Sequence, residues 1–426
     1  MKIAIIGSNL QAGVLTALLS EYGNDVYTLA EDSSGHEEDQ HQYQVLQDPH
    51  LLGLLLKLHE ENAFTIAYSA HDLPVDIECY ILCYEPNRLE AAKQFIRELP
   101  ALGSNKPRLM INSSTFGLYG TDKLAALSPS DLWVYLPDTV QEGNAVGSFV
   151  KASKVIVGTN EMPAKIQVKE LLRPIYPLDQ QYLWMPILDA ELAKISISGM
   201  LATRISYMND LANVAERLGV DIVNVRQGLA TDSRIGSSYL SPGVGFGGEN
   251  FSHDILMLSD LVSESGVRGR LLEQVWAINE DQKEILFRKL WRHFQTNLTG
   301  KRITIWGATF KEETTSTYNS PVHKMMEALI AQGAQVQIYD PRAGNELIER
   351  YVVRFPDQVT VFEDKYEALK ASDALCVLTA WKEFYSPNYK KMLDLMQTAL
   401  VLDGRNIYDP AFMKSLGFIY EGVGRS

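Results

Sequence analysis

The sequence predicts an α/β protein with a doubly wound, Rossmann-like sheet at its amino end. A helical middle domain built on one long central helix follows, and then a second Rossmann-like unit. Three observations carry this. Residues 2–6 (KIAII) are an apolar run followed by a glycine-containing turn, a helical stretch (12–22) and a second apolar run (25–29), the β-turn-α-β order that begins a parallel sheet. Residues 189–218 contain no proline and one internal glycine, Gly199, which predicts a helix on the order of 45 Å long. From Lys301 the strand-loop-helix grammar returns.

Further strands are expected at 77–83, 109–112 and 155–157, separated by helical stretches. The polar, acidic segment 31–44 reads as a loop or a solvated helix start. Helical segments continue from the long helix to about residue 297, interrupted by a glycine-rich loop at 242–248. In the last third, 302–307 is a strand, 321–332 a helix and 335–339 a strand closing at Asp340. The runs ALCVLTA and ALVLDG supply two more strands. With 426 residues and roughly 150 per domain, three domains are expected: 1–178, 179–297 and 298–426.

Composition narrows the function. With 46% hydrophobic and 22% charged residues the chain is an ordinary globular one. A net charge of −14 repels nucleic acid and anionic lipid, so an anionic ligand needs a local basic pocket. The odd count of three cysteines (Cys79, Cys83, Cys376) argues against a disulfide framework and fits a cytoplasmic setting. The opening MKIAIIG reads directly as a strand, so no signal peptide is expected, and the longest aliphatic run (51–56) is far short of a membrane span. The eight histidines show no metal-ligand spacing, so no metal is expected.

The first loop, Gly7-Ser8-Asn9-Leu10-Gln11-Ala12, stands where a dinucleotide loop wants G-x-G-x-x-G/A. Gly7 and Ala12 suit it, but Asn9 puts a side chain where the pyrophosphate lies. The acidic residue that holds the ribose belongs at Ala30; Glu31 and Asp32 come one and two places late. The run 234–254, RIGSSYLSPGVGFGGENFSHD, is more specific. Gly243, Gly245, Gly247 and Gly248 let a backbone fold tightly around a ligand, and Asp254 is expected in the first turn of the next helix. Glu191, Lys194 and Ser198 share one face of the long helix, which leaves a Glu191–Lys194 salt bridge open as a purely structural role.

These motifs resemble the UDP-glucose/GDP-mannose dehydrogenase family over essentially the full length. The resemblance rests on RIG…YL…PGVGFGG with Asp254, on the E-L-A-K helix continuing LATRISYMNDLAN, on Gly307-Ala-Thr-Phe-Lys311 and on Asp403-Gly-Arg405-Asn-Ile-Tyr-Asp-Pro410. It implies NAD-dependent oxidation of the C6 alcohol of a nucleotide sugar to a carboxylate, a carboxy-terminal domain that binds UDP-sugar, and a homodimer through the long helix. It further implies that Lys194 and Asp254 handle the proton or position water near C6. Lys311 and Arg405 would bind the sugar nucleotide, with Tyr239, Leu240, Gly245 and Gly247 lining its pocket and Arg234 reaching a neighbouring subunit's substrate. Cofactor contacts would fall on Gly7, Asn9, Leu10, Glu31, Thr115 and Glu142.

The departures from the family pattern are specific. Asn250 stands where the family has its nucleophilic cysteine, and an amide cannot form the thioester that links the two oxidations. Ser198 replaces an asparagine that holds the oxyanion, His253 a lysine, and Asp138 shortens a catalytic glutamate. Tyr84-Glu85-Pro86 replaces G-T-P, Phe116-Gly117 replaces V-P after Ser114-Thr115, and Tyr318 replaces an NAD-contacting arginine. Binding of NAD is therefore predicted weak or lost. Three readings follow: an oxidoreductase of nucleotide sugars, which could stop at the aldehyde; a non-catalytic nucleotide-sugar-binding protein with a regulatory or scaffolding role; and a 3-hydroxyacid dehydrogenase, which Lys311 and Arg405 argue against.

Overall fold

The computed structural model describes residues 1–29, 48–99, 106–266 and 269–425. The acidic segment 31–44, with Ala30, Glu31 and Asp32, lies outside them. The chain divides into two compact units, Met1–Ile197 and Ser198–Ser426.

The amino-terminal unit is an eight-stranded sheet. Its strands are β1 (Lys2–Ile6), β2 (Asp25–Leu29), β3 (Phe64–Ala67), β4 (Cys79–Leu82), β5 (Leu109–Asn112), β6 (Leu132–Tyr135), β7 (Val155–Gly158) and β8 (Tyr182–Met185). They lie in the order β3-β2-β1-β4-β5-β6-β7-β8. Every neighbouring pair is parallel except β6 and β7. Helices α1 (Leu10–Glu21), α2 (Pro49–Glu60), α3 (Leu89–Glu98), α4 (Gly120–Ala125), α5 (Ala145–Val150) and α6 (Met162–Leu172) complete the unit. Side chains of β1 alternate between two cores: Ile3 and Ile5 pack with Val14, Leu15, Leu51 and Leu55, whereas Ala4 and Ile6 pack with Tyr80, Leu82 and Phe95. With both faces covered, β4, β5 and β6 are buried throughout, which is why they read as unbroken apolar runs.

Strand order reverses between β1 and β4, so the crevice of such a sheet opens at their carboxyl ends. The two ends approach closely there. Gly7 has φ +124°, and a Cβ on it would lie 2.0 Å from the Cys83 carbonyl oxygen, so only glycine fits. Helix α1 begins two residues earlier than expected because the Asn9 side chain caps it, accepting from the Ala12 N–H at 2.9 Å.

The long helix α7 (Ile187–Leu218) starts two residues before its predicted boundary and contains the point where the two units divide. The carboxy-terminal unit continues with α8 (Ile222–Thr231), α9 (Glu249–Glu264), α10 (Arg270–Gln282) and α11 (Ile285–His293). These helices share one core with the second sheet: Met208, Ala212, Ile222 and Val244 pack with Leu286, Leu290, Ile303 and Ile305. In the two-unit division these helices go with the second sheet.

That unit's sheet has six parallel strands, β9 (Arg302–Trp306), β10 (Gln335–Tyr339), β11 (Val359–Phe362), β12 (Ala374–Val377), β13 (Leu400–Asp403) and β14 (Ile419–Gly422), ordered β11-β10-β9-β12-β13-β14. Helix α12 (Pro321–Ala331) follows the loop after β9. Asp340, just past β10, organises that loop. One carboxylate oxygen accepts from the N–H groups of Ala308 (2.7 Å) and Thr309 (3.1 Å) and from the Trp381 indole (3.2 Å), and the other from Arg342 and Ala343 N–H. Asp340→Ala leaves several buried donors unsatisfied and is expected to cost roughly 2–4 kcal/mol. A urea titration followed by fluorescence checks this, and an unchanged midpoint would contradict it.

Candidate functional site

The residues singled out from sequence fall on both units, and each unit is described by itself. In the amino-terminal unit, the loop after β5 carries Ser113, Ser114 and the buried Thr115. The Ser113 hydroxyl donates to the Leu136 carbonyl at 2.7 Å and accepts from Gln11 Nε2 at 3.2 Å, and Ser114 Oγ accepts from the Tyr84 N–H at 2.8 Å. Farther along, Glu191 of α7 accepts from the N–H groups of Tyr119 (2.7 Å) and Thr121 (2.8 Å). Burial pushes its carboxyl above the usual range, and those two N–H groups oppose the shift. Its carboxylate thus ties the long helix to the Ser-Thr loop. One turn on, Lys194 is buried, 7% exposed. Asp138 accepts from the Val140 N–H at 3.1 Å, Glu142 is half-buried, and Leu10 packs on the sheet core. Glu31 lies outside the described residues.

A dinucleotide would place its pyrophosphate against the free N–H groups of α1. The Asn9 carboxamide oxygen already takes the Ala12 N–H and stands at that end as a second acceptor facing an anion. The residues present do not fit the group.

In the carboxy-terminal unit the glycine loop is held from behind by three buried carboxamides. Asn209 Oδ1 accepts from the Gly243 N–H (2.8 Å) and Gln282 Nε2 donates to the Gly243 carbonyl (2.8 Å). Asn279 accepts from the Phe246 N–H (2.7 Å) and donates to its carbonyl (3.1 Å). Gly248, at φ +92°, ends the loop and opens α9 with no side-chain cap. Arg405 stitches three loops together: Nε donates to the Leu378 carbonyl (2.6 Å), and the two terminal nitrogens to Gly245 (3.5 Å) and Phe310 (3.3 Å) carbonyls. Burial draws its pKa below the ordinary arginine value, while Glu312 and Asp403 oppose the shift. Lys311 holds its ammonium 5.7 Å from the Phe310 ring centroid. The Phe310 ring in turn lies against Gly248. Leu240 is buried and Tyr239 is exposed at φ +58°. Gly247 lies against the Asn319 backbone. Arg234 is exposed and pairs with Asp232 at 2.6 Å.

Helix α9 starts at Glu249, so Asp254 sits in its second turn, not in the first as expected from sequence. The correction follows from Gly248, which lets the chain turn into the helix immediately after the loop. Asp254 is 2% exposed and accepts from the Ser198 hydroxyl at 2.6 Å. Gly199 permits that closeness, since a Cβ there would lie 2.7 Å from Leu258 of α9. Asn250 is exposed in the first turn of α9. Burial pushes the Cys79 and Cys376 thiols far above their ordinary value, so neither offers a thiolate, and Cys83 is buried as well. Among the described residues no group of three or more His, Cys, Asp or Glu side chains could hold a metal ion.

Sequence reasoning missed the residues behind the loop. Lys283 bonds Glu280 and Asn319 (both 2.6 Å), and Asn319 Nδ2 donates to Ser252 Oγ (2.9 Å), so a polar chain fixes α9 against the 311–320 loop. The available signal was polar residues at helical spacing, Asn279 and Gln282, on a face that is otherwise apolar.

A largely parallel sheet in the amino-terminal unit and a wholly parallel one in the carboxy-terminal unit, both doubly wound, define a protein of the α/β class. The chain belongs to the UDP-glucose/GDP-mannose dehydrogenase family: sequence models of that family's central domain and UDP binding domain match residues 188–281 and 304–410. It is 36% identical over 294 residues to UDP-glucose 6-dehydrogenase of Pseudomonas aeruginosa, a match covering 68% of this chain and 64% of that protein, under two thirds of its length. UDP-glucose 6-dehydrogenase TuaD of Bacillus subtilis is 28% identical over 444 residues, covering 100% of this chain and 93% of the relative. The fold resembles that of a UDP-glucose dehydrogenase from Pyrobaculum islandicum (TM-score 0.87, 22% identity, 100% of this chain and 98% of that one).

If the carboxamides preset the loop, Asn279→Ala frees both bonds to Phe246. Hydrogen–deuterium exchange across 243–248 should then rise about tenfold, the equivalent of one or two lost hydrogen bonds. Unchanged exchange would contradict the role.

Proposed function

We propose that this protein binds a nucleotide sugar of the UDP-glucose type in its carboxy-terminal unit and does not carry the sugar to the carboxylate. The observation that carries the reading is Asn250 in the first turn of α9, where the family's reaction requires a thiol. A carboxamide is not nucleophilic enough to trap an aldehyde, and the buried cysteines cannot reach the task. The binding side supports retention: Lys311 and Arg405 would bring positive charge to the site that the resemblance lines with Tyr239, Leu240, Gly245 and Gly247, inside a chain of net charge −14. Arg234 is free in direction to serve a neighbouring subunit, and its weak surface pairing with Asp232 is easily exchanged for a phosphate. The role that fits is a regulatory or scaffolding subunit in the cytoplasm.

An NAD-dependent oxidation that stops at the aldehyde is the second reading. Burial of Lys194 in one unit and the Ser198–Asp254 hydrogen bond in the other favour it, because the resemblance gives these residues, with Asp138, the proton-handling roles.

Self-association through α7 belongs to the same proposal. Met200, Tyr207 and Val214 are exposed at seven-residue spacing, one apolar line along the helix, with Asp210 and Arg217 also seven apart beside it. Tyr207→Glu should convert a dimer to a monomer in sedimentation velocity; a monomeric wild type would overturn this.

Calorimetry with UDP-glucose tests the binding reading. Wild type should bind with a Kd in the micromolar range, about −8 kcal/mol, and Lys311→Ala should weaken binding at least tenfold. No heat from UDP-glucose would sink it. Asn250→Cys alone should leave turnover absent, and full activity in that variant would show that the rest of the machinery is intact.

A further inference from the structure

We infer that the crevice at the carboxyl ends of β1 and β4 is closed by the chain's own side chains, so that the amino-terminal unit is a scaffold and not a dinucleotide site. Three features act together. The Asn9 carboxamide caps α1 and presents an oxygen where a pyrophosphate would need only N–H donors. Tyr84, two residues past β4, is 4% exposed, and its N–H is held by Ser114 Oγ at 2.8 Å. Its ring lies 6.5 Å from that of Phe116 at a 42° tilt, so two aromatic side chains bridge the loops that follow β4 and β5. Beneath them Gln11, fully buried in the first turn of α1, bonds Ser113 and ties α1 to the β5 loop.

These contacts replace, one for one, what a ligand at the switch point would supply. A dinucleotide joins the end of β1 to the loops of β4 and β5 through phosphate and ring contacts. Here Gln11 joins the first turn of α1 to the loop after β5, and the tilted Tyr84–Phe116 pair with the Ser114 hydroxyl joins the loops after β4 and β5. Glu191 fixes the far end of the same loop through Tyr119 and Thr121 N–H, so Phe116 is held from both sides. The closure is independent of nucleotide-sugar binding, which belongs to the other unit.

NADH fluorescence titration of the full chain tests this. Wild type should show no saturable enhancement up to about 1 mM, whereas Asn9→Gly/Tyr84→Thr should gain binding by at least tenfold over that limit. Glycine is well tolerated at a helix N-cap, so Asn9→Gly alone serves as a second variant if the double substitution fails to fold, with a smaller gain expected. Saturable micromolar binding by wild type would overturn the inference. So would folded variants, by circular dichroism, that gain nothing. UDP-glucose titrated into the same samples reports the other unit, so failure there and failure here are distinguishable.

Discussion

The path of the glycine loop from Pro242 to Gly248 is the constraint on which the carboxy-terminal unit depends. A loop this rich in glycine has high conformational entropy and would not hold a shape by itself. Asn209, Asn279 and Gln282, each nearly or fully buried, bind its backbone at two points and fix it before any ligand arrives. Arg405 then fastens the same loop to the ends of β9 and β12 through three carbonyls. Because Gly248 leads straight into α9, the fixed loop also sets where Asn250 and Asp254 stand. A preorganised loop loses less freedom on binding, which is what a nucleotide site needs.

The two units have diverged unequally. In the carboxy-terminal unit the parts that would meet an anionic ligand are in place, and Lys311 and Arg405 offset the negative charge of the whole chain locally. In the amino-terminal unit Asn9 caps its own helix, and Tyr84 and Phe116 pack the loops after β4 and β5 against each other. Position 250 holds Asn250, whose amide cannot serve as the nucleophile that the resemblance expects there. Changes that each add a packing or capping interaction are what a sheet acquires once its crevice no longer has to admit a ligand.

Much of this was legible in the sequence, and the exceptions have physical reasons. β1, β2 and β5 read directly because both sheet faces are buried and apolar runs result. β3, β6, β8, β11 and β14 were not recognised: four residues of mixed polarity, or an aromatic run without alternation as in β6 and β8, do not stand out from their flanks. α1 was placed two residues late because the capping role of Asn9 depends on a side-chain hydrogen bond, visible only in three dimensions. The middle helices have the periodicity of a domain of their own, and several of them bury apolar side chains against the second sheet. Likewise the carboxamides behind the glycine loop look like ordinary polar helix residues until their partners, more than 30 residues away, are known. The motifs themselves, from Arg234 to Asp254 and at Lys311 and Arg405, were legible because glycine and charge at fixed spacing carry their chemistry locally.

The central claim is that the nucleotide sugar is held and not oxidised. Mass spectrometry of UDP-glucose incubated with NAD and a stoichiometric amount of the protein tests it most directly. The account predicts UDP-glucose recovered unchanged with no NADH formed; UDP-glucuronate accompanied by two equivalents of NADH would contradict it.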